Sequence, residues 1–318
     1  MKNVHKHFGG VLALVFVGIL GLCVFVMGFR HVNAALESGS LELTILHTND
    51  IHARLSEFNS FGNPCSPEES KQQVCFGGVA RQATAIKRIR ENEKNVLLLD
   101  AGDQFQGTLF YTTFKGAPFA QFMNQLGYNA MTIGNHEFDD GPAELSDFIH
   151  ALDFPILSVN IDFSREASLK DSVEPYKIME IEGRKVGILG FTTEESRYIS
   201  SPGGDIRFKD IVSSVQNAID CMESHGVNIV IGLSHTGMGR DIEIAAAVDG
   251  LDVLIGGHTH TLLSKKIDPE LGDYPTVVTS TSGKPVLIVS AGEYGKYLGH
   301  LNVSFDEDGV VRRWSGDP

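Results

Sequence analysis

Positive charge is scarce in this chain. Its 26 lysines and arginines face 40 aspartates and glutamates, a formal net charge of −14. Nucleic-acid binding needs a basic face, so this balance argues against nucleic-acid partners. It leaves room for a phosphate-bearing small molecule, provided local cations offset the repulsion. Cysteine is scarce too. Only four are present, and Cys65 and Cys75 have no second closely spaced pair nearby, which argues against structural zinc. There is no repeat, no low-complexity tract and no obvious internal linker. Collagen-like and disordered chains are thereby excluded, and an ordinary globular fold is expected.

Long hydrophobic runs are also missing, with one exception. Phe8 to Phe29 contains no acid and follows Lys2 and Lys6. Val32-Asn33-Ala34 then supplies small residues at −3 and −1. Residues 1–34 therefore read as a secretory signal peptide. The run is long enough to span a bilayer, so a retained anchor is the alternative and membrane attachment depends on it. Leu22 before Cys23 argues against a lipoprotein site. Either way the functional part faces a secreted, periplasmic or cell-surface compartment. In such a compartment Cys65 and Cys75 could close the loop "CSPEESKQQVC", worth about 3 kcal/mol by loop entropy. Two free thiols or a metal pair are the alternatives. Cys221, in a helical pattern, reads as a buried thiol.

From residue 40 onward, short Val/Ile/Leu runs alternate with helical patterns. Strands are expected within 41–50, 95–103, 128–135, 154–160, 184–193, 227–236, 251–260, 284–292 and 298–306. Continuous apolar runs suit strands covered on both faces. Helices are expected after Gly77-Gly78, over 142–151 and over 209–224, where Ile211, Val215, Ala218, Ile219 and Met222 share one face. The alternation points to α/β layers, with an antiparallel region over 276–314. One domain is expected over 40–318.

Several runs end in groups that can hold a metal: Asn49-Asp50-Ile51-His52, Asp100-Ala101-Gly102-Asp103, Gly134-Asn135-His136, Ser234-His235-Thr236 and Gly257-His258-Thr259-His260. In open α/β sheets ligands bind beyond the carboxyl ends of the strands, so tips far apart in sequence converge. Asp50 with His52, and His258 with His260, are i, i+2 pairs, which share a side on an extended segment. A mixed set of Asp, His and Asn is too large for one tetrahedral ion. It suits two ions sharing a carboxylate, the arrangement that clamps both oxygens of a phosphoryl displacement.

The stretches "ILHTNDIHARL", "LLDAGDQFQGT", "MTIGNHEFDDG", "IGLSHTG" and "IGGHTH", in that order, resemble the motifs of the 5′-nucleotidase family within the calcineurin-like metallophosphoesterases. The resemblance covers nearly all of residues 41–305. It implies an α/β fold, a four-layer αββα sandwich with two mixed β-sheets. It implies two divalent metal ions of the Zn, Mn, Co or Fe class: one on Asp50, His52, Asp103 and His260, the other on Asp103, Asn135, His235 and His258. His136 and Asp139 are the implied catalytic dyad, and Glu137 and Asp140 read as structural or solvent-facing. Many members carry Gln or Asn where this chain has His260, a departure that bears on metal preference.

The implied reaction is release of phosphate from nucleoside 5′-monophosphates by a metal-bound hydroxide. The alternatives are hydrolysis of UDP-sugars, nucleotide pyrophosphates or 2′,3′-cyclic phosphodiesters, or metal-dependent binding without catalysis. Two-domain members add a C-terminal domain that grips the nucleotide. The expectation here is the catalytic domain with that domain absent. Oligomeric state is left open.

Overall fold

The computed structural model describes residues 39–318; the segment expected to be a signal peptide lies outside the described residues. Residues Leu41–Pro318 form one compact unit. Two six-stranded sheets build it. The first contains β1 (Leu41–Thr48), β2 (Val96–Asp100), β3 (Ala130–Thr132), β4 (Ile156–Leu157), β13 (Gly299–Phe305) and β14 (Val311–Gly316), in the order β14-β13-β1-β2-β3-β4. The second contains β6 (Tyr176–Ile181), β7 (Arg184–Thr192), β9 (Ile229–His235), β10 (Val253–Gly256), β11 (Thr276–Thr279) and β12 (Pro285–Val289), in the order β11-β12-β10-β9-β7-β6. A small pair, β5 (Ile161–Asp162) and β8 (Arg207–Phe208), stands apart from them.

The sequence alternation explains the layers. Leu41, Leu43 and Ile45 of β1, with Leu97 and Leu99 of β2, join Ile188, Ile231 and Ile255 of the second sheet in a core between the sheets. Leu46 and Leu98, of opposite parity, fall in a second core with helix residues. That core is filled from α2 (Val79–Asn92), α3 (Leu109–Phe114), α4 (Ala117–Leu126) and α5 (Gly141–His150), which follow the short α1 (Pro67–Lys71). On the second sheet, Val230, Leu254 and Ile288 meet α7 (Ile211–Ser224) and α8 (Met238–Ala247), which follow the four-residue α6 (Ser196–Ile199). Strands buried on both faces explain why the runs are continuous rather than alternating. The architecture is a four-layer αββα sandwich.

All nine expected strand regions and all three expected helices are present. The region 276–314 divides: β11 pairs antiparallel with β12 and β13 with β14, but in different sheets, and β12 runs parallel to β10. Cys65 and Cys75 form a disulfide around α1, whose Ser66 and Glu69 make a reciprocal capping box. Cys221 is exposed rather than buried. It lies on α7, whose buried residues are Ile211, Val215, Ala218, Ile219 and Met222. One residue back from Met222 is a rotation of about 100°, which turns Cys221 off the apolar stripe.

Candidate metal centre

Strands β1, β2 and β3 run parallel, as do β9, β10 and β12. Their carboxyl ends therefore emerge on one rim of each sheet, and backbone bonds tie the emerging loops together. Asp50 and His52 donate their N–H groups to the Gly102 and Asp103 carbonyls at 3.0 Å each. Across the sheets, the His258 N–H reaches both oxygens of Asp50 at 3.1 Å.

The left-handed backbone is concentrated here. Asp50, His52, Asp103, His258 and His260 all have positive φ, between 48° and 77°. The i, i+2 pairs thus converge through a left-handed turn and not, as the extended pattern predicts, through strand alternation. Each such residue costs on the order of 1 kcal/mol, and strain of this kind persists where surrounding structure over-determines it. Glycine makes the approach possible. A Cβ on Gly134 would stand 2.1 Å from Asp103 Oδ1, and one on Gly102 (φ 92°) would stand 2.6 Å from the Gly134 nitrogen.

Two clusters of metal-competent atoms result, Asp50 with His52 and His260, and Asp103 with His235 and His258, and a third grouping, His52 with Asp103 and His136, links them. Asp103 also lies 3.8 Å from His52 Nε2 and 3.0 Å from His235 Nε2, so it stands between them. Asn135 Oδ1 is buried and unpartnered. His136 Nδ1 is 2.6 Å from Asp139 Oδ2, and the half-buried His136 ring lies edge-on to His52. Every expected site residue is thus on the same rim. Asp140 meets Lys115 at 2.8 Å in a partly exposed ion pair.

The donor set fits divalent cations. The His52 Nδ1 faces the Phe105 carbonyl at 3.2 Å, and the His260 Nδ1 faces the Glu293 carboxylate. Both partners only accept, so both Nδ1 atoms carry a proton, and in the neutral rings the lone pairs lie on Nε2. Those two Nε2 atoms are 3.0 Å apart, with Asp50 Oδ1 at 3.9 and 3.6 Å. Two imidazole nitrogens this close, beside a carboxylate, share either a proton or a cation. His235 meets the Ala101 carbonyl through Nδ1 at 2.7 Å and sets its Nε2 3.0 Å from the Asp103 carboxylate.

Titration behaviour differs from ring to ring. Burial lowers His52 and His258 to about 4, which keeps both rings neutral. Burial would lower His235 as well, but Asp103 and then Asp50 drive it up to about 10, so this ring carries a proton that a cation on Nε2 would displace. Against the upward push of burial, His235 and His52 hold Asp103 well below the usual carboxylate range. The hydrogen bond to Asp139 raises His136 to about 8.

Other residues emerge only in three dimensions. Glu137 is buried, and it accepts from the N–H groups of Asp103, Gln104, Phe105 and Gly134 at 2.6–3.1 Å. It thereby staples the β2 loop to the β3 loop, the structural member of its two expected roles. Asn49 donates to Asp50 Oδ2 at 2.7 Å and to the Gly292 carbonyl at 2.6 Å. Glu293 reaches His260 from the loop after β12, a segment without any metal-type motif.

A family model for calcineurin-like phosphoesterases matches residues 43–262, and the chain belongs to that family. Within it, the chain is 45% identical over 291 residues to the snake venom 5′-nucleotidase of Gloydius brevicauda, matching 89% of this chain and 49% of that protein. The structure of a 5′-nucleotidase precursor from Thermus thermophilus superposes with a TM-score of 0.80 at 42% identity, over 87% of this chain and 54% of the other. The NAD nucleotidase of Haemophilus influenzae superposes at 0.78 with 32% identity, over 87% and 50%. The chain spans about half the length of the curated relatives it matches.

Proposed function

We propose that this chain is the catalytic part of an extracytoplasmic phosphohydrolase that uses two divalent cations of the Zn, Mn, Co or Fe class to release phosphate from nucleoside 5′-monophosphates. The observation that carries the reading is the convergence of His52 Nε2, His260 Nε2 and Asp50 Oδ1, 3.0, 3.6 and 3.9 Å apart. Asp50, His52, Asp103 and His260 would hold one cation, and Asp103, Asn135, His235 and His258 the other. Bound there, such cations lower the pKa of water and offset the charge of the phosphoryl group, which reconciles an acidic protein with an anionic substrate.

In the hydrolysis, a water oxygen bonds to phosphorus and the ester P–O bond breaks. The leaving oxygen needs a proton. His136 is suited to supply it from Nε2, because Nδ1 is committed to Asp139. Asp139 orients the ring and stabilises its charged form, as carboxylates do in other His–Asp pairs. The disulfide between Cys65 and Cys75 supports an oxidising compartment. Among the described residues, no helix is long and apolar enough to cross a membrane.

Phosphate release from AMP and from p-nitrophenyl phosphate, with manganese, zinc or cobalt added, tests the proposal. Release from both, abolished by chelation, is the expected result. The likeness to an NAD nucleotidase favours one second reading, cleavage of a nucleotide pyrophosphate bond. A panel containing NAD, a UDP-sugar and a 2′,3′-cyclic nucleotide beside AMP separates these. Metal uptake without turnover of any of them would leave a binding protein.

A further inference from the structure

We propose that Glu293 is a positioning residue for His260, and that it fixes this ring as a metal ligand. The inference rests on the dinuclear reading above and deepens it at one corner of the site.

An imidazole ligand brings a problem that an amide ligand lacks. It has two nitrogens, and it can ligate through Nε2 only when the proton sits on Nδ1. His260 is partly exposed, so burial alone does not choose the tautomer. The choice comes from Glu293, whose carboxylate meets His260 Nδ1. In the neutral ring that contact leaves the lone pair on Nε2, 3.0 Å from His52 Nε2 and 3.6 Å from Asp50 Oδ1. A carboxylate on the far nitrogen also makes the ring a stronger donor.

Glu293 is not a passing surface charge. The loop that carries it is bolted at three points to Asn49 and Asp50, the residues that follow β1. The Ala291 N–H donates to Asn49 Oδ1 at 3.0 Å, the Asn49 amide donates to the Gly292 carbonyl at 2.6 Å, and the Tyr294 N–H donates to the Asp50 carbonyl at 2.7 Å. Gly292 is also tied to Thr261, next to His260, at 3.0 Å. Tyr294 holds a left-handed backbone (φ 63°), and its ring lies edge-on to both His52 and His260. The Arg54 guanidinium covers that ring at 4.8 Å. The loop therefore presents Glu293 from a fixed frame shared with Asp50, so the orientation of His260 is set relative to the other ligands.

The test is cobalt titration of chelator-stripped protein, followed by equilibrium dialysis and visible absorption, with circular dichroism to check folding. The unsubstituted chain is expected to take up two equivalents. Glu293→Ala should leave one binding event unchanged and weaken the other about 10–100-fold. Glu293→Gln, whose amide oxygen still accepts from Nδ1, should recover most of the loss. In a His260→Gln background, Glu293→Ala should cost nothing further, because no tautomer remains to be chosen. Unchanged affinity in Glu293→Ala, or an equal loss with and without His260, would overturn the inference. Failure of the unsubstituted chain to bind two equivalents would instead overturn the dinuclear reading.

Discussion

Asp103 and His136 are neighbours, joined by the His136 N–H to Asp103 Oδ1 at 2.9 Å, yet substitution should separate their duties. Asp103→Asn removes charge from the point the two clusters share. It is expected to lower bound metal and to reduce turnover by at least about 100-fold, read by elemental analysis beside phosphate release. His136→Ala should keep both metals and lower kcat by about 10²–10⁴; loss of metal there would count against its assigned role. Glu137 answers to stability instead. Glu137→Gln sets an amide group against two of the four N–H donors, at a cost of about 3 kcal/mol in urea denaturation. At this scale the sequence shows which groups can ligate, because Asp, Asn and His stand at the ends of apolar runs. It does not show which acids serve backbone N–H groups or which carboxylate meets a far imidazole nitrogen. Glu137 and Glu293 look alike until their neighbours from distant loops are known.

At the scale of elements, the legible parts were those whose burial is simple. Strands β9 and β10 are buried along their whole length, so Val/Ile/Leu-rich runs mark them. Edge strand β6 alternates half-buried and exposed positions, and its pattern Tyr-Lys-Ile-Met-Glu-Ile is weak. Helices α3 and α4 were hidden by the threonines of the first and by Gly116 and Pro118 at the start of the second, all poor helix formers away from a terminus. The α1 loop makes an element-level prediction. Its disulfide joins cysteines at a sequence separation of 10, so Cys65→Ser with Cys75→Ser should lower stability by about 3 kcal/mol in reversible unfolding. The clusters around Asp50 and Asp103 lie on other loops, so their metal stoichiometry should be unchanged.

For the molecule as a whole, the acidic excess and the buried carboxylates shape the dependence on pH. Asp252 lies deep at the start of β10, accepting the Val230 N–H at 2.8 Å, and burial pushes its carboxyl up to about 8. An unfolded aspartate titrates near 4. Between those values the folded chain holds a proton that the unfolded chain has lost. Asp252 therefore lowers stability progressively as pH rises from about 4 to 8, with no further loss above. Asp252→Asn keeps an acceptor and removes the titration. The variant should gain on the unsubstituted chain between pH 5 and pH 8.5 in urea denaturation, and equal slopes would refute this.

What the sequence by itself determined is local and periodic: where apolar runs begin, which face of a helix is greasy, and which ligand-type side chains wait at the ends of strands. These follow from the pitch of a helix, the pleat of a strand and the aversion of apolar groups to water. What only the tertiary structure decided is relational. The left-handed turns that swing Asp50 and His52 together, and the carboxylate that Glu293 brings to His260 Nδ1, each depend on partners many residues away. Their energies come from contacts between elements, and no single segment contains both sides of such a contact.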